Sequence, residues 1–175
     1  MLLIYTGNGK GKTTAALGLA LRASGWGKKV AILQFIKEEA WPEGARKAIR
    51  EHLPDIHIEA LGSGFVGIMG DQKPKEEHQQ NAQKALARAK EIIKSRKYDI
   101  VILDEILGAI HGGLIDEESF FHFVETQHAV SKIDLILTGR NASKKLIAIA
   151  DLVTEMKEIK HPFQKGIQAK KGIDY

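Results

Sequence analysis

The sequence predicts a three-layer α/β sandwich, a mostly parallel sheet with helices on both faces. Three observations carry this. Short apolar runs alternate with helical patterns along the whole chain, as parallel strands joined by crossover helices require. Runs such as Tyr98 to Leu103 are apolar at nearly every position, so both faces of those strands are buried. A glycine-rich turn separates the first strand from the first helix, at the carboxyl strand edge where such sheets bind ligands.

The elements follow in order. Leu2 to Thr6 reads as a short buried strand, and Lys12 to Ser24 as a helix rich in Ala and Leu, stopped by Gly25. Lys29 to Phe35 is a second strand, Glu43 to Leu53 a helix ended by Pro54, and Ile56 to Leu61 a third strand. Gly62, Gly64, Gly67 and Gly70 mark a loop. From Pro74 to Arg96, apolar residues at Ala82, Ala85, Leu86, Ala89, Ile92 and Ile93 fall on one helical face. Tyr98 to Leu103 is a strand, Glu117 to Ala129 a helix, Ile133 to Thr138 a strand and Ala142 to Ala150 a helix. Leu152 to Ile159 is a last strand, and the tail after Lys160 is irregular. With no linker, repeat or low-complexity segment, residues 1–175 are expected to form one domain.

Composition narrows the classes. The 175 residues are 43% hydrophobic and 27% charged, ordinary for a globular protein. No cysteine is present, which excludes disulfides and thiolate metal sites. No run approaches the ~20 apolar residues of a membrane span, and the apolar start Met1 to Tyr5 gives way at once to a charged loop, unlike a signal peptide. The expectation is a soluble, cytoplasmic protein without a membrane partner. A net charge of +4 suits anionic ligands, but the lysines are interspersed with acids, as in Lys73-Pro74-Lys75-Glu76-Glu77. Nucleic acid is therefore not expected as a partner.

The chemistry concentrates in Thr6-Gly7-Asn8-Gly9-Lys10-Gly11-Lys12-Thr13. Strand, glycine loop, Lys-Thr and helix form the context of a phosphate loop, in which backbone N–H groups and the helix dipole converge on an anion. Lys12 supplies charge to the phosphates, and the Thr13 hydroxyl suits Mg²⁺, which keeps most of its waters. The usual loop has a glycine six positions before the lysine; here Thr6 stands there, and Lys10 adds a second cation. The fold narrows accordingly to the P-loop NTPase type, with a RecA-like sheet. The partner element is Ile100-Val101-Ile102-Leu103-Asp104-Glu105, whose Asp104 or Glu105 would sit beside Thr13 and hold the metal. Thr138-Gly139-Arg140 ends another apolar strand on the same edge, where Arg140 can pair with phosphate or carboxylate. Arg22 lies further along the first helix and reads as a surface arginine. These features define an ATP or GTP site and leave kinase, hydrolase, switch and ligase open. A non-catalytic nucleotide-binding module also stays open.

Further blocks point to one family. Tyr5 to Ala16, with Thr14 inside it and Arg22-Ala23 after it, resembles the ATP:corrinoid adenosyltransferases. So do Gln34-Phe35-Ile36-Lys37, Trp41-Pro42-Glu43-Gly44, Leu103-Asp104-Glu105, Thr138-Gly139-Arg140, Ala150 to Met156, Lys160-His161-Pro162-Phe163 and Ala169 to Tyr175. In order, from residue 3 to the end, these blocks are far more specific than the loop alone. The resemblance implies attack of a Co(I) corrinoid on C5′ of ATP, with release of triphosphate, in adenosylcobalamin synthesis or corrinoid salvage. It implies Mg²⁺ or Mn²⁺, a homodimer, and a reductase or flavoprotein as electron donor for Co(I). It places Gly7, Asn8, Gly9, Lys10, Gly11, Lys12, Thr13, Thr14, Arg22 and Arg140 on ATP, with Lys12, Thr13 and Glu105 as catalytic residues and Thr13, Asp104 and Glu105 at the metal. It places Phe65, Trp41, His161 and Phe163 on the corrinoid side.

Two departures fall on that side. Members often carry a segment before the first strand that covers the corrinoid, whereas this chain starts on that strand. The block that usually reads Gly-Phe-Thr-Trp is Gly64-Phe65-Val66-Gly67 here, with Phe163 the residue expected to compensate.

Overall fold

The computed structural model describes residues 1–64, 72–130 and 132–175. Six strands form one sheet: β1 (Leu2–Thr6), β2 (Val30–Gln34), β3 (Ile56–Ala60), β4 (Ile100–Asp104), β5 (Asp134–Thr138) and β6 (Leu152–Glu155). Their order is β3-β2-β4-β5-β1-β6, and every pairing is parallel. The helices are α1 (Lys12–Ser24), α2 (Gly44–His52), α3 (Lys75–Ser95), α4 (Ile106–His111), α5 (Glu117–Val130) and α6 (Lys144–Ile149). A 3-10 turn at Pro162–Lys165 interrupts the tail.

Strand residues alternate between two apolar layers, as the two-residue period of a strand dictates. Leu2, Ile4, Leu33, Val101, Leu103, Leu135 and Leu137 pack with Ala85, Leu86 and Ala89 of α3, Phe120 and Val124 of α5 and Leu146 of α6. Val30, Ile32, Ile56, Ile58, Ile100, Ile102 and Ile136 point the other way, onto Ala16, Ala20 and Ala23 of α1 and Ile49 of α2. The alanine face of α1 lets that helix approach the sheet closely. This is the expected three-layer sandwich, with the sheet parallel throughout.

Three elements depart most from the sequence reading, and the others differ by at most two residues at their ends. Helix α4 was not anticipated; it follows β4 directly and contains Gly108, a poor helix former. β6 stops at Glu155 rather than reaching Ile159, and all four of its residues are exposed on the sheet edge. The chain leaves the sheet at Met156, whose carbonyl accepts a bond from Gly9 N–H at 2.6 Å. α6 is shorter than Ala142 to Ala150, because Ser143 caps it by accepting from Leu146 N–H.

Candidate nucleotide site

The phosphate loop is shaped by what it presses against. A Cβ on Gly7, whose φ is +96°, would lie 2.5 Å from the Met156 carbonyl oxygen, and one on Gly9 would lie 2.7 Å from it. Only glycine fits at either position. Gly11 then enters α1 without a side-chain cap, and no acid occupies the first turn. The amides at that helix start are thus left for an anion.

Lys12 is 6% exposed. Its Nζ donates to the carbonyls of Gly7 and Gly9, both at 2.8 Å. An ammonium has three donors, so one remains for a ligand. Burial pushes this ammonium below the ordinary lysine value, with the Arg140 charge adding to that and Glu105 and Asp104 opposing it.

The acid beside Thr13 is Asp104. Its Oδ1 accepts from Thr13 Oγ1 at 2.8 Å and from Thr138 Oγ1 at 2.8 Å. Its Oδ2 lies 3.4 Å from Gln34 Nε2. Since β5 stands between β1 and β4, Thr138 at the end of β5 joins the loop strand to the acid strand. Thr138 Oγ1 also accepts from Glu105 N–H at 2.9 Å. Glu105 takes a left-handed backbone, φ 61°, at the start of α4. Burial and then neighbouring Asp104 push its carboxyl upward, while Lys12, Arg140 and Lys37 pull it back. Gly108 makes room for it: a Cβ there would lie 3.2 Å from Glu105 Oε2.

Thr13, Asp104 and Glu105 offer only oxygen donors, which suits a hard divalent ion of the Mg²⁺ type. Among the described residues no group of three His, Cys, Asp or Glu side chains could cage a metal. The donor set therefore fits an ion that keeps most of its waters.

The remaining candidates divide. Arg140 is exposed, yet its charge acts on both Lys12 and Glu105, which places it at this site. Asn8 and Thr14 are exposed on the loop and the first turn of α1. Arg22 does not join them within the chain; it lies in the last turn of α1, ten residues or about 15 Å of helix from Lys12. There it is exposed, and its charge complements the helix dipole. Lys10 is turned to the tail, pairing with Asp174 and donating to the Ile173 carbonyl at 3.0 Å.

On the corrinoid side, Phe65, Val66 and Gly67 lie outside the described residues. Trp41, 37% exposed, stands on the segment before α2. Buried Arg46 gathers that segment through the carbonyls of Glu38, Glu39 and Trp41. His161 and Phe163 stand on the tail, where His161 Nδ1 accepts from Phe163 N–H at 3.2 Å and the Phe163 side chain is largely exposed.

Sequence reasoning missed Thr138 and Gln34, both buried polar residues at strand ends. The signal was available: a polar residue closing an apolar run at the ligand edge. It also missed Met156, for which no local signal exists.

The profile of the ATP:corrinoid adenosyltransferase BtuR/CobO/CobP family matches residues 1–175. The chain belongs to that family. A corrinoid adenosyltransferase of Sinorhizobium sp is 38% identical over 176 residues, covering 100% of this chain and 80% of the relative. One from Escherichia coli strain K12 is 35% identical, covering 100% of this chain and 85% of the relative. Corrinoid adenosyltransferase CobA of Salmonella typhimurium is 31% identical over 175 residues, at 100% and 85% coverage. Among solved structures, a KaiC-like protein from Pyrococcus horikoshii superposes with a TM-score of 0.52 at 19% identity, over 88% of this chain and 71% of its own. That likeness concerns the fold alone and agrees with a RecA-like sheet. The activity of the adenosyltransferase family is ATP-dependent adenosylation of corrinoids. Among the described residues no helix is long and apolar enough to cross a membrane.

Proposed function

We propose that this adenosyltransferase transfers the 5′-deoxyadenosyl group of ATP to the Co(I) centre of cobalamin or cobinamide and releases triphosphate. The observation that carries the residue-level reading is the pre-set loop: Lys12 fixed by two loop carbonyls, beside uncapped helix amides and the Thr13–Asp104 pair.

Co(I) is itself a strong nucleophile. Its electron pair forms the cobalt–carbon bond, the C5′–O bond breaks, and triphosphate leaves with the electron pair of that broken bond. No proton is transferred, so no general base is needed. The protein stabilises charge on the leaving group and orients the reactants. Lys12 and the amides of Gly11 to Thr14 hold the triphosphate, and Arg140 adds charge from β5. Thr13 and Asp104, with Glu105, would hold Mg²⁺ or Mn²⁺, which neutralises phosphate charge when bound. Thr138 and Gln34 fix the Asp104 carboxylate.

Trp41, His161 and Phe163, together with Phe65, form the proposed corrinoid side. An apolar face there would favour reduction of Co(II) by excluding an axial ligand, one of the ways proteins tune a metal. The proposal includes one domain over residues 1–175, a homodimer, a cytoplasmic setting and a reductase or flavoprotein as electron source. The test is an ultraviolet–visible trace of chemically reduced cobalamin with ATP and Mg²⁺, with the phosphate product identified. Adenosylated product and triphosphate are expected; ADP in place of triphosphate would overturn the reading.

A further inference from the structure

Lys10 lies inside the phosphate loop, yet its charge is spent on the tail. The ammonium pairs with the Asp174 carboxylate and donates to the Ile173 carbonyl at 3.0 Å. The other oxygen of that carboxylate accepts from Lys170 N–H at 2.7 Å, and the N–H groups of Ile173 and Asp174 close the turn on the Lys170 carbonyl at 3.1 and 2.8 Å. Asp174 is thus presented by a formed turn. The next residue reaches the other side of the site: a Cβ on Gly44, the first residue of α2, would lie 3.9 Å from the Tyr175 carbonyl oxygen. Lys10 follows β1 and Gly44 follows β2, and between those strands stand β5 and β4. The tail therefore crosses the sheet edge that carries Thr138 and Asp104.

The geometry points to Asp174 as a stand-in for phosphate: its carboxylate occupies Lys10 in the free protein and is displaced when a triphosphate enters the loop. One carboxylate on an exposed turn cannot compete with a polyanion that also gains Lys12 and the helix amides. After the transfer the freed triphosphate is held by the same cations, and return of Asp174 to Lys10 assists its departure. The Lys10 ammonium already holds the Asp174 carboxyl below the usual carboxylate range, with Lys170 N–H adding to this, so the competing anion is charged at neutral pH. This inference rests on the phosphate-loop reading and adds to it a residue that acts against binding.

Asp174→Asn tests it, because an asparagine oxygen keeps the bond to Lys170 N–H and removes only the charge. Calorimetric titration with sodium tripolyphosphate should show about two- to five-fold tighter binding by Asp174→Asn, the range of an exposed ion pair. The gain should vanish when the same change is made in Lys10→Ala. Tripolyphosphate should also speed amide exchange at residues 170–174 of the unaltered protein. Unchanged or weaker binding by Asp174→Asn would overturn the proposal, as would a gain that persists without Lys10 or slower exchange of the tail. If the unaltered protein binds tripolyphosphate while these signs fail, only the stand-in role is lost. If it binds no more tightly than Lys12→Ala, the phosphate-loop reading falls as well.

Discussion

Replacing Lys12 is the sharpest test of the site. In the free protein its ammonium spends two donors on Gly7 and Gly9 at 2.8 Å and keeps one. The two loop bonds aim the third, so phosphate meets a charge that needs no reorganisation. Lys12→Ala removes one charge-assisted hydrogen bond, worth about 1.5–3 kcal/mol. It also removes a preorganised charge facing the leaving group, where loss of one donor costs about 2.7–4 kcal/mol. The two overlap, and the net loss in ATP binding is set at roughly 2–4 kcal/mol. At about 1.4 kcal/mol per decade, that is some 30- to 700-fold in Kd.

Stability should move less than binding. The substitution leaves two carbonyls without a donor, but it also removes a cation whose burial lowers its pKa. These oppose one another, and Lys12→Ala should melt within a few degrees of the parent. The assays are calorimetric titration with ATP and Mg²⁺, and the absorbance trace of cobalamin adenosylation with Co(I) supplied chemically. Near-normal turnover by a folded Lys12→Ala protein would refute the assignment of this loop to the triphosphate.

Glu105→Gln should lose turnover and regain part of it at high Mg²⁺ or Mn²⁺, with an unchanged pH profile; loss of an acidic limb without metal rescue would show proton transfer instead. Thr13→Ala should chiefly raise the metal concentration needed for half-maximal rate, read from a metal titration. Gly139→Ala should cost turnover and stability together, because φ there is +137° and a Cβ would lie 2.8 Å from both Gly108 N and Leu107 Cβ; an activity loss without a fall in melting temperature would contradict that packing argument. Arg88 donates to both oxygens of Glu59, with the closest contact at 2.7 Å, and holds that carboxyl below its ordinary value of 4.5, with His57 adding to the effect. A depressed carboxyl stabilises the fold above its unfolded pKa and loses that contribution as pH falls through the folded value. Arg88→Ala should therefore cost about 0.2–1 kcal/mol at neutral pH and narrow the gap to the parent below pH ~4.5; denaturant melts at pH 7 and pH 3 check this.

The buried strands were legible because a strand covered on both faces must be apolar at nearly every position, as Ile100 to Leu103 is. The loop lysine and threonine were legible because their roles require fixed offsets from a strand and a helix. Helix α4 was hidden by Gly108, kept where an alanine would crowd Glu105. The overextended last strand has a similar cause. Met156 and Ile159 continue an apolar pattern, but at Met156 only the N–H still bonds β1, at the Thr6 carbonyl, while the Met156 carbonyl is turned to Gly9 N–H. Contacts that depend on strand order, such as Thr138 with Asp104, have no local signature. Nor does the Lys10–Asp174 pair, which spans 164 positions. Such links are set by how the sheet is threaded, which pattern and spacing do not encode.

The same cluster bears on why a phosphate loop serves carbon transfer rather than hydrolysis. Among the described acids near the loop, Glu105 has its carboxyl pushed upward by burial, the direction in which a general base is tuned. Asp104 is committed to Thr13 and Thr138. An adenosyltransferase gains nothing from a base here and loses ATP if one acts. Glu105 lies close over Gly108, and the charges of Lys12, Arg140 and Lys37 oppose the upward shift. Those cations favour the ionised carboxylate, the form that binds a cation, and each added positive charge makes it a weaker base. A triphosphate held as a leaving group needs cations around it and no activated water beside it. On the proposed reading, Lys12, Arg140 and the Thr13–Asp104 pair meet the first need, and the cations facing Glu105 serve the second.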